Sequence, residues 1–75
     1  MSTTFEKVRK VIVDVIGIDE DKVTLEADLH REIGADSLDA VEIVMGLEDA
    51  FSVEVDHADI FAAETVGDLV KIIEK

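Results

Sequence analysis

Ser37 is the residue whose type and setting most invite chemistry. It follows Asp36 and precedes an apolar run, so Asp36 reads as a helix N-cap and Ser37 as the first helical residue. Capping alone explains an Asp-Ser pair. The same position also suits a phosphate ester, because backbone N–H donors and the helix macrodipole favour negative charge at a helix start. A nucleophilic serine is the enzyme alternative, and it lacks parts. Ser37 has no GxSxG elbow, and only His30 and His57 could serve as its base. Each histidine is more simply an exposed polar side chain, without metal-ligand spacing to the other. Asp19, Glu20 and Asp21 raise the possibility of calcium binding, yet the glycine and terminal glutamate of an EF-hand loop are missing at the required spacing. No catalytic and no metal-ligating residue is assigned.

The elements that must position Ser37 follow from caps and apolar periodicity. Helix one begins at the capping box Thr3-Thr4-Phe5-Glu6 and ends at Gly17, with Phe5, Val8, Val11, Ile12, Val15 and Ile16 at helical spacing and Val13 off the stripe. From Gly17 to Asp36 no period appears. A structureless stretch of that length must be pinned. Ile18, Val23, Leu25, Leu29 and Ile33 are the candidates, with a helical turn near Asp28 to Arg31 and a turn at Gly34. Helix two runs from the Asp36 cap to about Phe51 and is apolar on two sides. Ala40, Ile43, Val44, Leu47, Ala50 and Phe51 gather on one side; Leu38, Val41 and Met45 gather on the other, among Asp39, Glu42, Glu48 and Asp49. That second strip is either an exposed docking surface, apolar for affinity and charged for steering, or it lies against the long loop. Asp56 caps a brief helix to about Ala62. Thr65, paired with Asp68, caps the last helix, where Val66, Leu69, Val70 and Ile73 share a face. The expected fold is all-α: a small four-helix bundle with a long loop after helix one and a short third helix, forming one domain over residues 1–75.

Composition narrows the partners. Nineteen acids against seven bases give a net charge of −12, which argues against nucleic acid and anionic membranes and favours basic proteins or cations. Without cysteine there is no disulfide, thiolate metal site or cysteine nucleophile, so any thiol must be borrowed. Apolar residues reach 48%, but Phe5, Phe51 and Phe61 are the only aromatics, so aliphatic side chains must supply most of a small core. No apolar run approaches the roughly 20 residues that span a bilayer, and no signal segment is visible. A cytoplasmic monomer is the expectation.

The run IGADSLDAVE, Ile33 to Glu42, closely resembles the modification motif of acyl carrier proteins, in which the serine of GADSLD bears 4′-phosphopantetheine. TFEKVRKVIVDVIGI is similar to the first helix of that family, and VEIVMGLEDAF to the remainder of its second. The resemblance implies a non-catalytic carrier of acyl thioesters, with Ser37 as the attachment site and Asp36 as the adjacent acid implicated in modification. It places partner recognition on Leu38, Asp39, Val41, Glu42, Met45 and Glu48. It assigns acyl-chain shelter to Ile43, Val44, Leu47 and Phe51. The implied partners are a phosphopantetheinyl transferase and enzymes with basic docking surfaces that load, elongate and unload the chain. GADSLD and VEIVM resemble the fatty-acid synthesis branch, with a polyketide or other specialised carrier as the alternative. The chain departs from the family pattern in places: Arg31-Glu32-Ile33-Gly34 replaces an acidic-Asp-Leu-Gly sequence, Asp56 stands where proline is frequent, Gly46 sits in mid-helix, where alanine is the better helix former, and His57, Ile60 and Phe61 make the third helix less like that of the most acidic members.

Overall fold

The computed structural model describes residues 3–74, apart from the Thr3 side chain, so the capping box expected at Thr3 lies outside the described residues. Among them the order is α1 (Thr3–Ile16), a 3-10 turn (Glu20–Lys22), α2 (Ser37–Phe51), α3 (His57–Ala62) and α4 (Val66–Glu74), with no strand. None of these helices is long and apolar enough to cross a membrane. α1 buries Val8 and Ile12, with Phe5, Val11, Val15 and Ile16 half-buried around them. Val13, expected off the stripe, is also half-buried against the core. The reason is that α1 packs on both α2 and α4, so a wider face than one stripe is covered. The Gly17 N–H closes the helix on the Val13 carbonyl at 2.8 Å, with Gly17 at φ +81°.

The long loop is held by its backbone as much as by its side chains. Val23, Leu29 and Ile33 are buried as expected, joined by Ala27 and Ala35, but Leu25 is 50% exposed. Leu25 contributes its carbonyl instead, which accepts the Gly67 N–H at 2.8 Å; Ala27 O accepts the Val66 N–H at 3.1 Å, and the Leu29 N–H reaches Glu64 O at 2.9 Å. The loop thus runs antiparallel along the start of α4 and satisfies N–H groups that a helix start leaves without partners. A Cβ on Gly67 would stand 3.0 Å from Leu25 O, so the close approach calls for glycine there.

Asp28 organises the next turn. Its Oδ1 accepts the N–H groups of His30 and Arg31, each at 2.8 Å, while its carbonyl accepts those of Glu32 and Ile33. The expected helical turn is therefore a hydrogen-bonded turn around one aspartate. The Arg31 N–H foremost, and then that of His30, hold the Asp28 carboxyl below its ordinary 3.8. Asp68 behaves alike at the head of α4: its Oδ2 accepts from Glu64 at 3.0 Å and Thr65 at 3.2 Å, and its N–H returns to Thr65 Oγ1 at 3.3 Å, completing the expected box. The Glu64 and Thr65 donors, in that order, lower its pKa. Asp56 caps α3 through the Ala58 N–H at 2.8 Å.

Gly46 marks where α2 meets α1. A Cβ built there would lie 2.8 Å from Val11 Cγ1, inside any ordinary carbon contact. The residue that looks wrong by helix propensity is the one that lets the two helices close.

Candidate functional site

Ser37 stands at the open end of α2. Asp36 is extended at φ −98° and ψ −173°, and its Oδ1 accepts the Asp39 N–H at 2.9 Å while Asp39 Oδ2 accepts the Asp36 N–H at 3.3 Å. The Ala40 N–H starts the helix ladder on Asp36 O at 2.9 Å. Two donors are left over: the N–H groups of Ser37 and Leu38 have no partner among the described residues. The Ser37 side chain is exposed, and no hydrogen bond ties its hydroxyl to any described group, including His30 and His57. Just upstream, Ala35 is buried and donates its N–H to Leu29 O at 2.9 Å, which fixes the chain that leads into the helix. A reachable hydroxyl beside unsatisfied N–H groups and the positive end of a helix dipole fits a phosphodiester. Among the described residues no three potential metal ligands are gathered together.

The outer strip of α2 faces solvent and is not covered by the long loop. Leu38 is 69% and Met45 62% exposed, Glu42 is exposed and Val41 half-buried. Two of its expected acids are engaged within the fold. Asp39 serves the cap, and Glu48 Oε2 accepts the Val55 N–H at 2.9 Å, tying the connection after α2 back onto the helix. Ala50, expected to face inward, is exposed on the edge of a groove between α1 and α2 that Lys7, Val11, Val15 and Gly46 also line.

A small apolar cavity of about 20 Å³ lies under the first turns of α2, lined by Leu29, His30, Ala35, Ala40, Ile43, Ile60, Phe61, Ala63 and Leu69. Ala35 and Ala40 bracket Ser37 in sequence, so the cavity sits beside the serine's helix start. Of Ile43, Val44, Leu47 and Phe51, Ile43 alone lines it. Val44 and Leu47 are buried in the core, and Phe51 is half-buried with the Lys7 ammonium 5.5 Å from its ring centre. Helical phase places Ala40 on the inward side of α2, but Ala35, Ala63 and His30 have no such signal: Ala35 and His30 belong to a stretch without period, and Ala63 follows a helix too short to show one. The visible signal was Phe61, an aromatic in a helix otherwise short of large apolar residues.

The family model describing a phosphopantetheine attachment site matches residues 6–73. Among solved structures, the chain is similar to a candidate acyl carrier protein from Mycobacterium tuberculosis, at 25% identity and a TM-score of 0.87 over 96% of each chain. It is also similar to the acyl carrier protein of Enterococcus faecalis, at 36% identity and a TM-score of 0.74, covering 93% of this chain and 89% of the other. The open serine of the GADSLD run, the helical fold around it and a family match over nearly the whole length agree: the chain belongs to the acyl carrier protein family, whose cofactor is phosphopantetheine.

Proposed function

We propose that Ser37 carries the phosphopantetheine arm and that the protein is a non-catalytic, monomeric, single-domain carrier serving fatty-acid synthesis in the cytoplasm. The observation that carries this reading is the exposed Ser37 hydroxyl at a helix start whose Ser37 and Leu38 N–H groups are free. On modification Ser37 Oγ would attack the pantetheine-side phosphorus of coenzyme A: the Oγ–P bond forms, the pyrophosphate P–O bond breaks with 3′,5′-ADP leaving, and the hydroxyl proton is released. The two N–H groups and the helix dipole then face the new anion and help offset its repulsion by a chain of net charge −12. Asp36 Oδ1 stays committed to the cap, leaving its second oxygen for a cation brought by the transferase. The bound arm supplies a thiol, which holds acyl groups as thioesters.

The remaining residues serve approach and shelter. Leu38, Val41 and Met45 give a partner apolar contact, and exposed Glu42 attracts a basic surface and speeds encounter. Asp39 and Glu48 lie on the same strip and act there mainly by holding its shape. Ile43 contributes to shelter directly as a cavity wall, and Val44, Leu47 and Phe51 do so as the core behind it. GADSLD and VEIVM support the fatty-acid branch.

The absence of cysteine makes the test sharp. A thiol titration reads zero on the chain without the arm, verified as such by intact mass. After incubation with coenzyme A, magnesium and a phosphopantetheinyl transferase, and removal of small molecules, it should read one thiol per chain. Ser37→Ala should stay at zero. A thiol that appears equally on Ser37→Ala overturns the assignment.

A further inference from the structure

We infer that Phe61 gates the cavity beneath the start of α2, so that this one ring on α3 sets how well the protein shields longer acyl chains; the inference rests on the carrier reading above. The cavity holds about 20 Å³, little more than the ~10–15 Å³ that a single water needs. A chain of several methylenes must therefore push a wall aside.

The walls differ in what holds them. On the α2 side, Ala40 and Ile43 belong to a 15-residue helix. On the loop side, Leu29, His30 and Ala35 are each pinned by a backbone hydrogen bond: Leu29 N–H to Glu64 O at 2.9 Å, His30 N–H to Asp28 Oδ1 at 2.8 Å, and Ala35 N–H to Leu29 O at 2.9 Å. From behind, Leu69 is fully buried. The fourth wall is α3, six residues long, with Ile60 as its one buried residue. On it, Phe61 lines the cavity while 51% exposed.

Among the large apolar side chains of the wall, Phe61 thus has the least to lose by moving. A ring with half its surface in water has gained only part of what burial gives a phenylalanine, so rotating it outward costs little. Once a chain lies beneath it, the ring gains the apolar contact it lacks and covers the chain from solvent. A two-carbon acyl group is too short to profit, whereas a medium-length chain gains both contact and cover.

The experiment installs acetyl- and octanoyl-phosphopantetheine from the corresponding coenzyme A thioesters with a transferase, and intact mass first establishes that each variant is loaded. Thioester cleavage by hydroxylamine, which gives a hydroxamate and the free thiol, is then timed for both chains. In the wild type the octanoyl thioester should be cleaved more slowly than the acetyl. Phe61→Ala should reduce this ratio by about tenfold, equivalent to ~1.4 kcal/mol, without changing the acetyl rate. Phe61→Leu, which keeps a large apolar side chain, should retain most of the protection. Thermal unfolding of each variant separates a lost gate from a lost fold; if the alanine variant unfolds, Phe61→Gln, which keeps the length but not the apolar surface, carries the test and should lose the protection in the same way. Failure to load at all refutes the carrier reading and this inference with it. With loading intact, no chain-length difference in the wild type, an unchanged ratio in Phe61→Ala, or a ratio that rises there would each overturn the gate alone.

Discussion

Replacing Gly46 by alanine should weaken the protein, although helix propensity alone says the opposite. In an ordinary helix interior the change gains about 0.8–1.0 kcal/mol. Here the new Cβ would stand 2.8 Å from Val11 Cγ1, where carbon atoms rest at about 3.5–4.0 Å. Val11 is branched at Cβ and stiff about χ1, so relief needs a rotamer change or a shift of α1 against α2. Overpacking of this kind costs about 1–3 kcal/mol, leaving a net loss of roughly 0–2 kcal/mol. Trimming the neighbour removes the conflict. In Val11→Ala the obstructing methyl is gone, and Gly46→Ala made in that background should recover the propensity gain of about 1 kcal/mol. The two substitutions should couple by about 1–3 kcal/mol in a double-mutant cycle. Thermal and urea unfolding of the four proteins in one buffer provide the assay, since 1 kcal/mol moves the midpoint of a domain this size by about 4–8 °C. If Gly46→Ala stabilises the wild type and the two changes simply add, the close approach does not govern this position.

Three further outcomes follow from the charges. Glu42→Lys should slow partner association and flatten its salt dependence while leaving the unfolding midpoint nearly unchanged, whereas Glu48→Ala should cost about 1 kcal/mol of stability by removing the acceptor of the Val55 N–H; stopped-flow binding and thermal melts separate the two roles, and a reversed pattern would refute them. Asp28 and Asp68 have lowered pKa values, so their contribution to stability is present above the ordinary 3.8 and is lost as pH falls through their folded values; denaturant unfolding against pH should show a steep acid limb below about pH 4, shallower in Asp28→Asn and Asp68→Asn, and an unaltered limb in both variants would refute the assignment. Salt should raise the midpoint at neutral pH, because a net charge of −12 repels itself and screening at 0.1 M acts over about 10 Å; identical midpoints in low salt, magnesium chloride and sodium chloride of matched ionic strength would show that the charges are too dispersed to matter.

The parts of this fold that were legible in sequence are those set by local chemistry. Gly17, Asp36, Asp56 and the Thr65–Asp68 pair punctuate helices through interactions within a few residues, and the structure places each where the pattern does. What stayed hidden depends on pairings between distant segments. Leu25 reads as a side chain to bury, yet its carbonyl matters, because residues 25–29 lie along residues 64–67 and no local period announces that. Gly46 reads as a weak helix former until Val11 is seen against it. At the site, the helix start at Ser37 and the existence of a second apolar strip from Leu38 to Met45 were readable from caps and helical phase, whereas whether that strip faces solvent or the long loop was open until the fold showed Leu38 and Met45 exposed. The cavity was not readable, since residues of the long loop, α2, α3 with its C-cap Ala63, and α4 form it only after folding.

The central claim is that one side chain, Ser37, carries the arm, and site-resolved mass analysis tests it most directly. The chain contains three serines, Ser2, Ser37 and Ser52. After modification with coenzyme A and a phosphopantetheinyl transferase, the protein is digested with a glutamate-specific protease and the peptides are fragmented. The peptide spanning Ile33 to Glu42 should carry the phosphopantetheine mass, with the fragments placing it on Ser37, and the peptides holding Ser2 and Ser52 should be unchanged. Phosphopantetheine on either of those serines, or an unmodified Ser37 under conditions that load another carrier protein in the same tube, would contradict the account.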